Sequence, residues 1–345
     1  MIKSFEGRSK PHNFLETRMI CKLSSSLLFC AVAMGAGAVG AQSNDVANWP
    51  NKPVRIVVPY AAGGSSDTLG RAIGLHLQTA FKQPFVIDNR PGGGGTIGSS
   101  QVAKTPPDGY TLVVSGIGSH VIAPVEVKTL QPMTDFTHVA MLGGPATVLV
   151  VHPSMQVNTL KEFVALVQQQ PDGLTWGSPG QGTHGELIGQ LFAQRAKYKQ
   201  THIGYKGAAP AVADLAGGQI PAAFITYTSA SSFIRSGKIK ALAITSPKRS
   251  DDIPQVPTFA ELGYPELTAT TWFSLSGPPS MPPALVEKIN AEVRRGMKSE
   301  PVRKLMAQEG IESQDWDAPT FTRYVQSEID RWTPLVKSLG STRKP

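Results

Sequence analysis

Residues 54–81 read VRIVVPYAAGGSSDTLGRAIGLHLQTAF, and this stretch decides the fold class. Its first five residues are mostly β-branched, which predicts a buried strand that ends before Pro59. Beyond the loop that follows, Ser65, Ser66 and Asp67 are residue types that favour a helix start. Apolar residues then recur at the spacing of one buried helix face, and they are Leu69, Ala72, Ile73, Leu77, Ala80 and Phe81.

The loop between this strand and this helix, residues 61–64, contains only alanine and glycine. Ligands of α/β proteins commonly bind where a strand's carboxyl end meets a helix's amino end, because free backbone N–H groups point there. The loop therefore predicts a site for an anion. The alternative is a turn that is glycine-rich only because the chain reverses tightly, and the loop alone leaves that alternative open.

Strand and helix patterns alternate in two series, over residues 54–115 and 148–245. Each series suffices for one compact α/β unit, which predicts an α/β fold with two lobes. Each lobe would be a β-sheet flanked by helices, and the ligand cleft would lie between the lobes. We expect residues 42–144 and 246–345 to form the first, discontinuous lobe and residues 145–245 the second.

The N-terminal residues 1–41 have the pattern of a secretory signal peptide. Lys22 precedes an apolar, small-residue run that ends at Ala41, a residue that suits signal peptidase. Met19 is an alternative start, because the residues before it do not resemble the basic segment of a signal. Export through this signal predicts a periplasmic protein.

The composition of the 345-residue chain excludes several classes of site. The net charge is +8, but the basic residues are spread out and form no stripe interleaved with aromatic residues, so we expect no nucleic-acid partner. Cys21 and Cys30 both lie in the predicted signal, which leaves the mature chain without a disulfide or a cysteine ligand. No H-E-x-x-H pair is present to bind zinc. We expect no metal, no cofactor and a monomer.

Two motifs typical of enzymes are incomplete. Gly93, Gly95 and Gly98 match G-x-G-x-x-G, but they follow the second predicted strand and lack the acidic residue that a dinucleotide site needs. Residues 176–180, WGSPG, approach the G-x-S-x-G elbow of hydrolases, but Trp replaces the first glycine and Pro179 removes an N–H of the oxyanion hole. A secreted α/β hydrolase or a nucleotide-dependent enzyme stays the alternative to a binding protein.

Glycine-rich loops follow predicted strands at residues 61–66 and 178–183, and Tyr205 follows a third strand. These loops offer N–H and hydroxyl donors without a general base, which suits the capture of a carboxylate rather than its conversion. His184 either starts a helix or lines the cleft, and we expect no catalytic residue. The predicted ligand-binding residues are Tyr60, Ala62, Gly63, Gly64, Ser65, Ser66, Ser178, Gly180, Gln181, Gly182, Thr183 and Tyr205.

A series of short motifs runs in a fixed order along residues 49–340. They are Trp49-Pro50, Pro53-Val54-Arg55, Val57-Val58-Pro59, Gly63-Gly64-Ser65-Ser66-Asp67, Asp88-Asn89-Arg90-Pro91-Gly92, Pro107-Asp108-Gly109-Tyr110-Thr111-Leu112, Asp135-Phe136, Tyr205-Lys206-Gly207, Gly217-Gly218-Gln219, Ala241-Leu242-Ala243, Glu261-Leu262-Gly263 and Trp272. Each motif is weak, but their order is specific. Together they resemble the substrate-binding proteins of tripartite tricarboxylate transporters, the Bug receptors.

This resemblance implies a two-lobed fold of the periplasmic-binding-protein type. It also implies a periplasmic receptor, not an enzyme, that closes on a small mono-, di- or tricarboxylic acid and delivers it to membrane subunits of the transporter. Three positions depart from the family pattern. Glu186 stands where the family often has histidine, and Pro221 and Ile225 stand where acidic residues are common. Ile225 in particular disfavours a site that neutralises an ammonium group.

Overall fold

Two β-sheets with helices on their faces make up the protein in this computed structural model. The structure describes residues 46–128, 130–308 and 310–340. The chain divides into two units at Trp49; residues 46–48 of the first unit are helical, and both sheets lie in the second unit. The predicted signal peptide lies outside the described residues.

Eleven strands lie within the described residues. They are β1 (Val54–Val58), β2 (Phe85–Asn89), β3 (Thr111–Gly116), β4 (Thr137–Pro145), β5 (Thr147–Val151), β6 (Leu174–Ser178), β7 (Gln200–Gly204), β8 (Ala222–Thr226), β9 (Lys240–Ile244), β10 (Phe273–Gly277) and β11 (Ile311–Glu312).

The strands form one mixed sheet in each lobe. The first sheet has the order β11-β4-β10-β3-β1-β2, in which β1, β2 and β3 run parallel and β10 is antiparallel to both of its neighbours. The second sheet has the order β7-β6-β8-β5-β9, in which β6, β7 and β8 run parallel and β5 is antiparallel to β8 and β9. The sheet of each lobe thus combines three parallel strands with antiparallel ones.

Helices follow most of the strands. They are α1 (Ser65–Phe81), α2 (Thr96–Val102), α3 (Ala123–Val127), α4 (Pro132–Asp135), α5 (Leu160–Gln168), α6 (His184–Ala196), α7 (Ala208–Ala216), α8 (Tyr227–Arg235), α9 (Pro283–Met297), α10 (Glu300–Gln308) and α11 (Ala318–Gly340). Within residues 46–340, none of the described helices has the length and apolarity that crossing a membrane requires.

The strand and helix predicted from residues 54–81 are confirmed. β1 spans the predicted residues, and α1 begins at Ser65. The residue that caps the helix is Gly64, which has no side chain to accept a bond, rather than one of the three polar residues that follow it.

Strands β4 and β10 were not predicted, although they lie side by side in the first sheet. β10 carries Ser274 and Ser276, which are fully buried, and their hydroxyls lie 2.7 and 2.6 Å from the hydroxyl of Ser115 on β3. Because buried serines interrupt an apolar run, the sequence pattern of a central strand is lost there.

The chain crosses between the sheets at two places. It first crosses at Ala146, between β4 and β5, and it returns before β10. Before returning, Phe259 donates its N–H to Ile244 of β9 at 2.9 Å and packs its ring 5.4 Å from that of Phe192 on α6. The lobe boundaries at 144/145 and 245/246 stay a prediction. The contacts of Phe259 favour a return of the chain to the first lobe later than residue 246, near Thr270.

A buried carboxylate ties α11 to the core. Glu328 accepts hydrogen bonds from the indole N–H groups of Trp272, at 2.9 Å, and Trp332, at 3.1 Å. Both rings are fully buried, and the Trp332 ring also meets the His184 ring of α6 edge-on at 5.5 Å. Glu328 therefore links Trp272, which directly precedes β10, to Trp332 of α11, whose ring contacts His184 of the second lobe.

Replacing Glu328 by alanine should leave two buried indole N–H groups without an acceptor. Since each such group costs about 1–3 kcal/mol, we expect the free energy of unfolding to fall by about 2–5 kcal/mol. Glu328→Gln retains one acceptor oxygen and should cost less. Urea unfolding of both variants measures the difference, and an equal loss in the two would contradict the role of the hydrogen bonds.

Two buried histidines lie beside the serines of the first sheet. His138 on β4 is 4% exposed, and its Nδ1 lies 3.2 Å from the hydroxyl of Ser276. Burial lowers the pKa of His138 to about 4. His120 is also fully buried, and its ring lies 6.0 Å from that of His138; burial, followed by the neighbouring His138, lowers its pKa well below the usual value. Both side chains are therefore neutral at neutral pH.

A histidine that is neutral when buried must gain a proton on unfolding below pH 6.5. The stability that His138 contributes is complete above pH 6.5 and is lost as the pH falls towards its folded pKa, at up to about 1.4 kcal/mol per pH unit. We expect wild-type protein to lose about 2 kcal/mol through this residue between pH 7 and pH 5. His138→Asn should flatten that dependence in urea unfolding, and an unchanged slope would contradict the assignment.

Candidate functional site

A cavity of about 40 Å³ lies between the two lobes. This space is larger than one water molecule requires, so a small molecule can enter it in place of ordered water. The lining residues come from both lobes and are Tyr60, Gly64, Ser65, Ser66, Gly118, Thr147, Pro179, Thr183, His184, Gly185, Ala208, Thr226, Thr271 and Phe273.

The ends of strands in both sheets explain why these residues meet. Parallel strands point their carboxyl ends at the cavity, and the lining residues there are Tyr60 after β1, Gly118 after β3, Pro179 after β6 and Thr226 at the end of β8. Thr147 and Phe273 begin the antiparallel strands β5 and β10, which places them at the same edges. The order of the parallel strands reverses between β1 and β3 and between β6 and β8, and such reversal points form the crevices of open α/β sheets.

Four helices begin at the cavity. Ser65 opens α1, His184 opens α6, Ala208 opens α7, and Thr226 directly precedes α8. The first N–H groups of a helix have no partner inside it, and the aligned peptide dipoles give this end a partial positive charge. The cavity is therefore surrounded by groups that attract an anion.

The two loops nearest the cavity are held by the same kind of contact. Asp67 in the first turn of α1 accepts the N–H of Gly63 at 3.0 Å, and Glu186 in the first turn of α6 accepts the N–H of Gly182 at 2.6 Å. Asp67 also accepts a bond from Arg71 at 2.9 Å. Burial raises the pKa of Asp67, but its hydrogen bonds from Arg71, Gly63 and Asn89 outweigh burial and leave the pKa below its usual value. This carboxylate is thus ionised and already paired.

Contacts across the cleft hold the lobes together. The hydroxyl of Ser65 in the first lobe lies 2.6 Å from that of Thr226 in the second. The backbone N–H of Ala61 donates to the carbonyl of Lys206 at 2.9 Å. The cleft is closed in this structure, and neither contact involves a charged side chain.

Tyr60 forms one wall of the cavity, and the glycine run of residues 92–95 makes room for its hydroxyl. The hydroxyl donates to the carbonyl of Gly94 at 2.9 Å, and a Cβ on Gly95 would lie only 2.9 Å from it. Burial raises the pKa of Tyr60, so the phenol stays protonated. The close approach accounts for Gly95, which the sequence also allowed as part of a dinucleotide motif.

His184 is the buried titratable side chain of the cavity wall. Its Nδ1 lies 2.8 Å from the hydroxyl of Thr271, which in turn lies 3.0 Å from the hydroxyl of Thr147. Burial, together with the positive charge of Arg331, lowers the pKa of His184 to about 3. The imidazole is therefore neutral, and it cannot serve as the counter-ion of a bound anion.

Charged side chains are missing from the cavity wall. Among the described residues that line it there is no lysine, arginine, aspartate or glutamate. Hydroxyl groups, backbone N–H groups and one neutral imidazole supply the polarity. Groups of this kind can bind an anion through hydrogen bonds.

The structure brings together only part of the predicted site. Of the predicted residues, Tyr60, Gly64, Ser65, Ser66 and Thr183 line the cavity. The others do not line it and are Ala62, Gly63, Ser178, Gly180, Gln181, Gly182 and Tyr205. Ala62, Gly63 and Gln181 are exposed to solvent, and Gly180 and Gly182 are buried in the loop.

Ser178 and Tyr205 make hydrogen bonds elsewhere. The Tyr205 hydroxyl donates to Asp214 at 2.8 Å; partial burial, together with this bond and the charge of Asp214, raises the pKa of Tyr205 to about 12. The Ser178 hydroxyl lies 2.7 Å from His202 Nε2, and His202 Nδ1 lies 3.4 Å from a carboxylate oxygen of Glu186. This sequence of groups is that of a hydrolase triad, but Ser178 is completely buried and accepts the N–H of Gly180, so it does not face the cavity.

Other lining residues were not predicted. They are Gly118, Thr147, Pro179, His184, Gly185, Ala208, Thr226, Thr271 and Phe273, of which only His184 had been considered for the cleft. Gly118 and Pro179 lie within two residues of the ends of β3 and β6, and Ala208 opens α7, so strand ends and helix starts were the signal that could have found them. Thr147 and Phe273 depend on antiparallel pairing, which gives no local signal.

Comparison with known proteins identifies the family. Residues 69–341 match the family described as tripartite tricarboxylate transporter family receptor. The solved periplasmic binding protein BugD has a TM-score of 0.80 and 28% identity, with 85% of this chain and 99% of BugD covered. MatC of Rhodopseudomonas palustris, solved with bound malate, has a TM-score of 0.80 and 31% identity, with 84% of this chain and all of MatC (100%) covered.

A second protein of R. palustris, solved with adipate, has a TM-score of 0.81 and 32% identity, with 85% of this chain and 98% of that protein covered. The resemblance and the two-lobed fold class drawn from the sequence motifs are both confirmed. These relatives are binding proteins and receptors rather than enzymes. The chain therefore belongs to the tripartite tricarboxylate transporter family of receptors, the Bug family of periplasmic solute-binding proteins.

Proposed function

We propose that this receptor binds a small carboxylic acid in the cavity between its lobes. The observation that carries the proposal is the meeting of four helix starts at a cavity wall without charged side chains. Oriented N–H groups and helix dipoles stabilise an anion there, and hydroxyls of Ser65, Ser66 and Thr226 add donors. MatC with malate and the R. palustris protein with adipate support a carboxylate as the ligand.

The predicted site residues that do not line the cavity have a supporting role in this proposal. Ala62, Gly63, Gly180, Gln181 and Gly182 lie in the loops that lead into α1 and α6. In this role they set the positions of the N–H groups at the helix starts. Ser178 and Tyr205 would support the second lobe's loops through His202 and Asp214.

Delivery of the acid to membrane subunits of a tripartite tricarboxylate transporter is also part of the proposal. The family description names this transport system. A receptor that acts as a monomer, without a cofactor, suits such delivery.

A ligand at 100 times its dissociation constant should raise the free energy of unfolding by about 2.7 kcal/mol. We expect thermal denaturation to shift upwards with at least one acid from a panel of acetate, butyrate, succinate, malate, adipate and citrate, and not with ATP. Gly64→Val should abolish that shift. A Cβ at Gly64 has no neighbour closer than 3.9 Å, so the fold tolerates the change while the methyl groups enter the cavity.

Two controls accompany Gly64→Val. Gly217→Val adds the same side chain at an exposed glycine at the end of α7 and should leave binding unchanged. Ser66→Ala removes one donor and should weaken binding by about 0.5–1.5 kcal/mol in titration calorimetry. The proposal is wrong if no acid stabilises the protein while ATP does, and wild-type affinity in Gly64→Val would show that the loop is only a turn.

Export to the periplasm is expected to remove residues 1–41. The basis is the apolar run that follows Lys22 and the small residues that end at Ala41. The mass of protein recovered from the periplasm should correspond to a chain that starts at Gln42. Exported protein that still contains Cys30 would refute cleavage at this site.

A further inference from the structure

The lobes meet along two seams. In the first seam, the loop before α1 and the first residue of that helix lie against the starts of α7 and α8. Hydrogen bonds join the lobes there, as between the backbone N–H of Ala61 and the carbonyl of Lys206 at 2.9 Å. In the second seam, Gly94 and Ala123 of the first lobe lie against residues 181–182 of the second. This second seam consists of backbone atoms and the methyl group of Ala123, packed directly on each other.

Two glycines of the second seam have no room for a side chain. A Cβ at Gly94 would overlap the carbonyl oxygen of Gln181 and would lie 3.1 Å from the Cβ of Ala123. A Cβ at Gly182 would lie 2.7 Å from the Cβ of Ala123 and 3.0 Å from its Cα. These obstacles are backbone atoms or a methyl group fixed to the backbone. No side-chain rotation can therefore relieve the overlap.

The first seam leaves more space. A Cβ at Gly63 would lie 3.6 Å from the Cβ of Ala209, and one at Gly64 would have no neighbour closer than 3.9 Å; both are ordinary van der Waals distances. The tightest position of the first seam is Gly207, where a Cβ would lie 3.0 Å from the backbone nitrogen of Ala61. The second seam is therefore the tighter of the two, and it limits how closely the lobes can approach.

The obstacles at the second seam belong to the opposite lobe. A side chain at residue 182 meets only Ala123 of the first lobe, and the closest obstacle to one at residue 94 is Gln181 of the second. Opening the cleft would remove both overlaps. We propose that Gly94 and Gly182 are positioning residues for ligand capture, because only residues without a side chain at these two places allow the lobes to close. A side chain at either position holds the cleft open.

The second seam is also connected to the cavity. The carbonyl of Gly94 accepts the hydroxyl of Tyr60, a residue of the cavity wall, at 2.9 Å. Gly118 and Thr183, which line the cavity from opposite lobes, approach each other beside the same seam, since a Cβ on Gly118 would lie 3.5 Å from the Cα of Thr183. The complete wall exists only in the closed state, so the apparent affinity falls in proportion to the closed fraction. This effect on binding rests on the proposed function, whereas the effect on closure does not.

A cross-link at the first seam measures closure without a ligand. The hydroxyls of Ser65 and Thr226 lie 2.6 Å apart, so the sulfurs of Ser65→Cys and Thr226→Cys come within bonding distance when the cleft is closed. With oxidised glutathione as the oxidant, the disulfide should form readily in this parent chain. After Gly94→Ala or Gly182→Ala it should form at least about tenfold more slowly, because the closed state is rarely populated.

Gly237→Ala is the matched control. Gly237 has a φ of +71°, close to the +62° of Gly94 and the +74° of Gly182, and a Cβ there would meet no atom within 4 Å. The three variants share the cost of an alanine in left-handed backbone, so we expect equal losses in urea unfolding, but Gly237→Ala should cross-link at the parent's rate. Every chain also carries Cys21→Ser and Cys30→Ser, which removes the two natural cysteines. Equal cross-linking rates in all chains, or no cross-link in the parent, overturns the inference.

A compensating change tests the contact itself. Ala123→Gly removes the methyl group that a side chain at residue 182 would meet at 2.7 Å and leaves only the Cα, at 3.0 Å. In Gly182→Ala it should therefore speed cross-linking by at least about threefold, and in Gly94→Ala by less, since the carbonyl of Gln181 remains in place there. Without this rescue in Gly182→Ala, the overlap would be absorbed within one lobe, which contradicts the proposal.

The same glycine variants, without the cysteine pair, connect closure to binding. In titration calorimetry with the six acids of the panel, Gly94→Ala and Gly182→Ala should weaken the binding of any acid that the wild-type chain binds by at least about tenfold, and Gly237→Ala should not. Wild-type affinity in both variants overturns the inference and leaves the proposed function intact. If the wild-type chain binds none of the acids, the proposed function fails, and the cross-linking rates alone decide the inference about closure.

Discussion

The N–H groups at the starts of four helices need partners, and this need organises the cleft. Parallel strands of both sheets end at the same cavity, and the helices that follow them begin there with N–H groups that no carbonyl of the same helix can reach. Part of this need is met within the protein, because the hydroxyl of Thr183 accepts the N–H of Glu186 and the carbonyl of Ala146 accepts the N–H of Tyr227. A carboxylate would satisfy more of it, because each of its oxygens accepts several hydrogen bonds.

The absence of charged side chains from the described cavity wall also explains how the lobes can close. An arginine in the cavity would bind an anion strongly, but in the empty closed state it would be a buried, unpaired charge, which is costly. Hydroxyl groups avoid this cost, because they act as donor or acceptor according to their partner. Ser65 and Thr226 therefore bond to each other across the closed cleft, and Thr271 bonds with both Thr147 and His184.

Local patterns in the sequence predicted the elements that carry the site, but not everything that surrounds it. β1 and α1 follow from local patterns, because the apolar residues of the strand and of one helix face are buried. β10 was missed because Ser274 and Ser276 point into a polar cluster inside the sheet. A pattern based on apolar residues cannot distinguish such serines from exposed ones.

The site residues also divide into those that a local sequence pattern predicts and those that it does not. Ser65 and Ser66 are fixed by a local junction, so their place at the cavity could be predicted from the loop itself. Thr147 and Phe273 reach the cavity only through pairing with β8 and β3, strands more than 70 residues away along the chain. Ser178 was predicted from its loop, but its hydroxyl turns towards His202, which a parallel neighbouring strand supplies. Strand pairing over long distances, which a single sequence does not reveal, decides these positions.

In each lobe a carboxylate holds a loop beside the cleft, and the cationic partners of the two carboxylates differ. Asp67 and Glu186 both stand in a first helical turn and both accept the N–H of a glycine four residues earlier, which draws each loop onto its helix. Arg71 compensates Asp67 with a charge that is permanent, whereas the cation within reach of Glu186 is His202, which carries a charge only when protonated. Glu186 is almost completely buried, and it also accepts a hydrogen bond from the side-chain amide of Gln190 at 2.8 Å. Both carboxylates therefore hold loops beside the cleft without placing a charged group in the cavity wall.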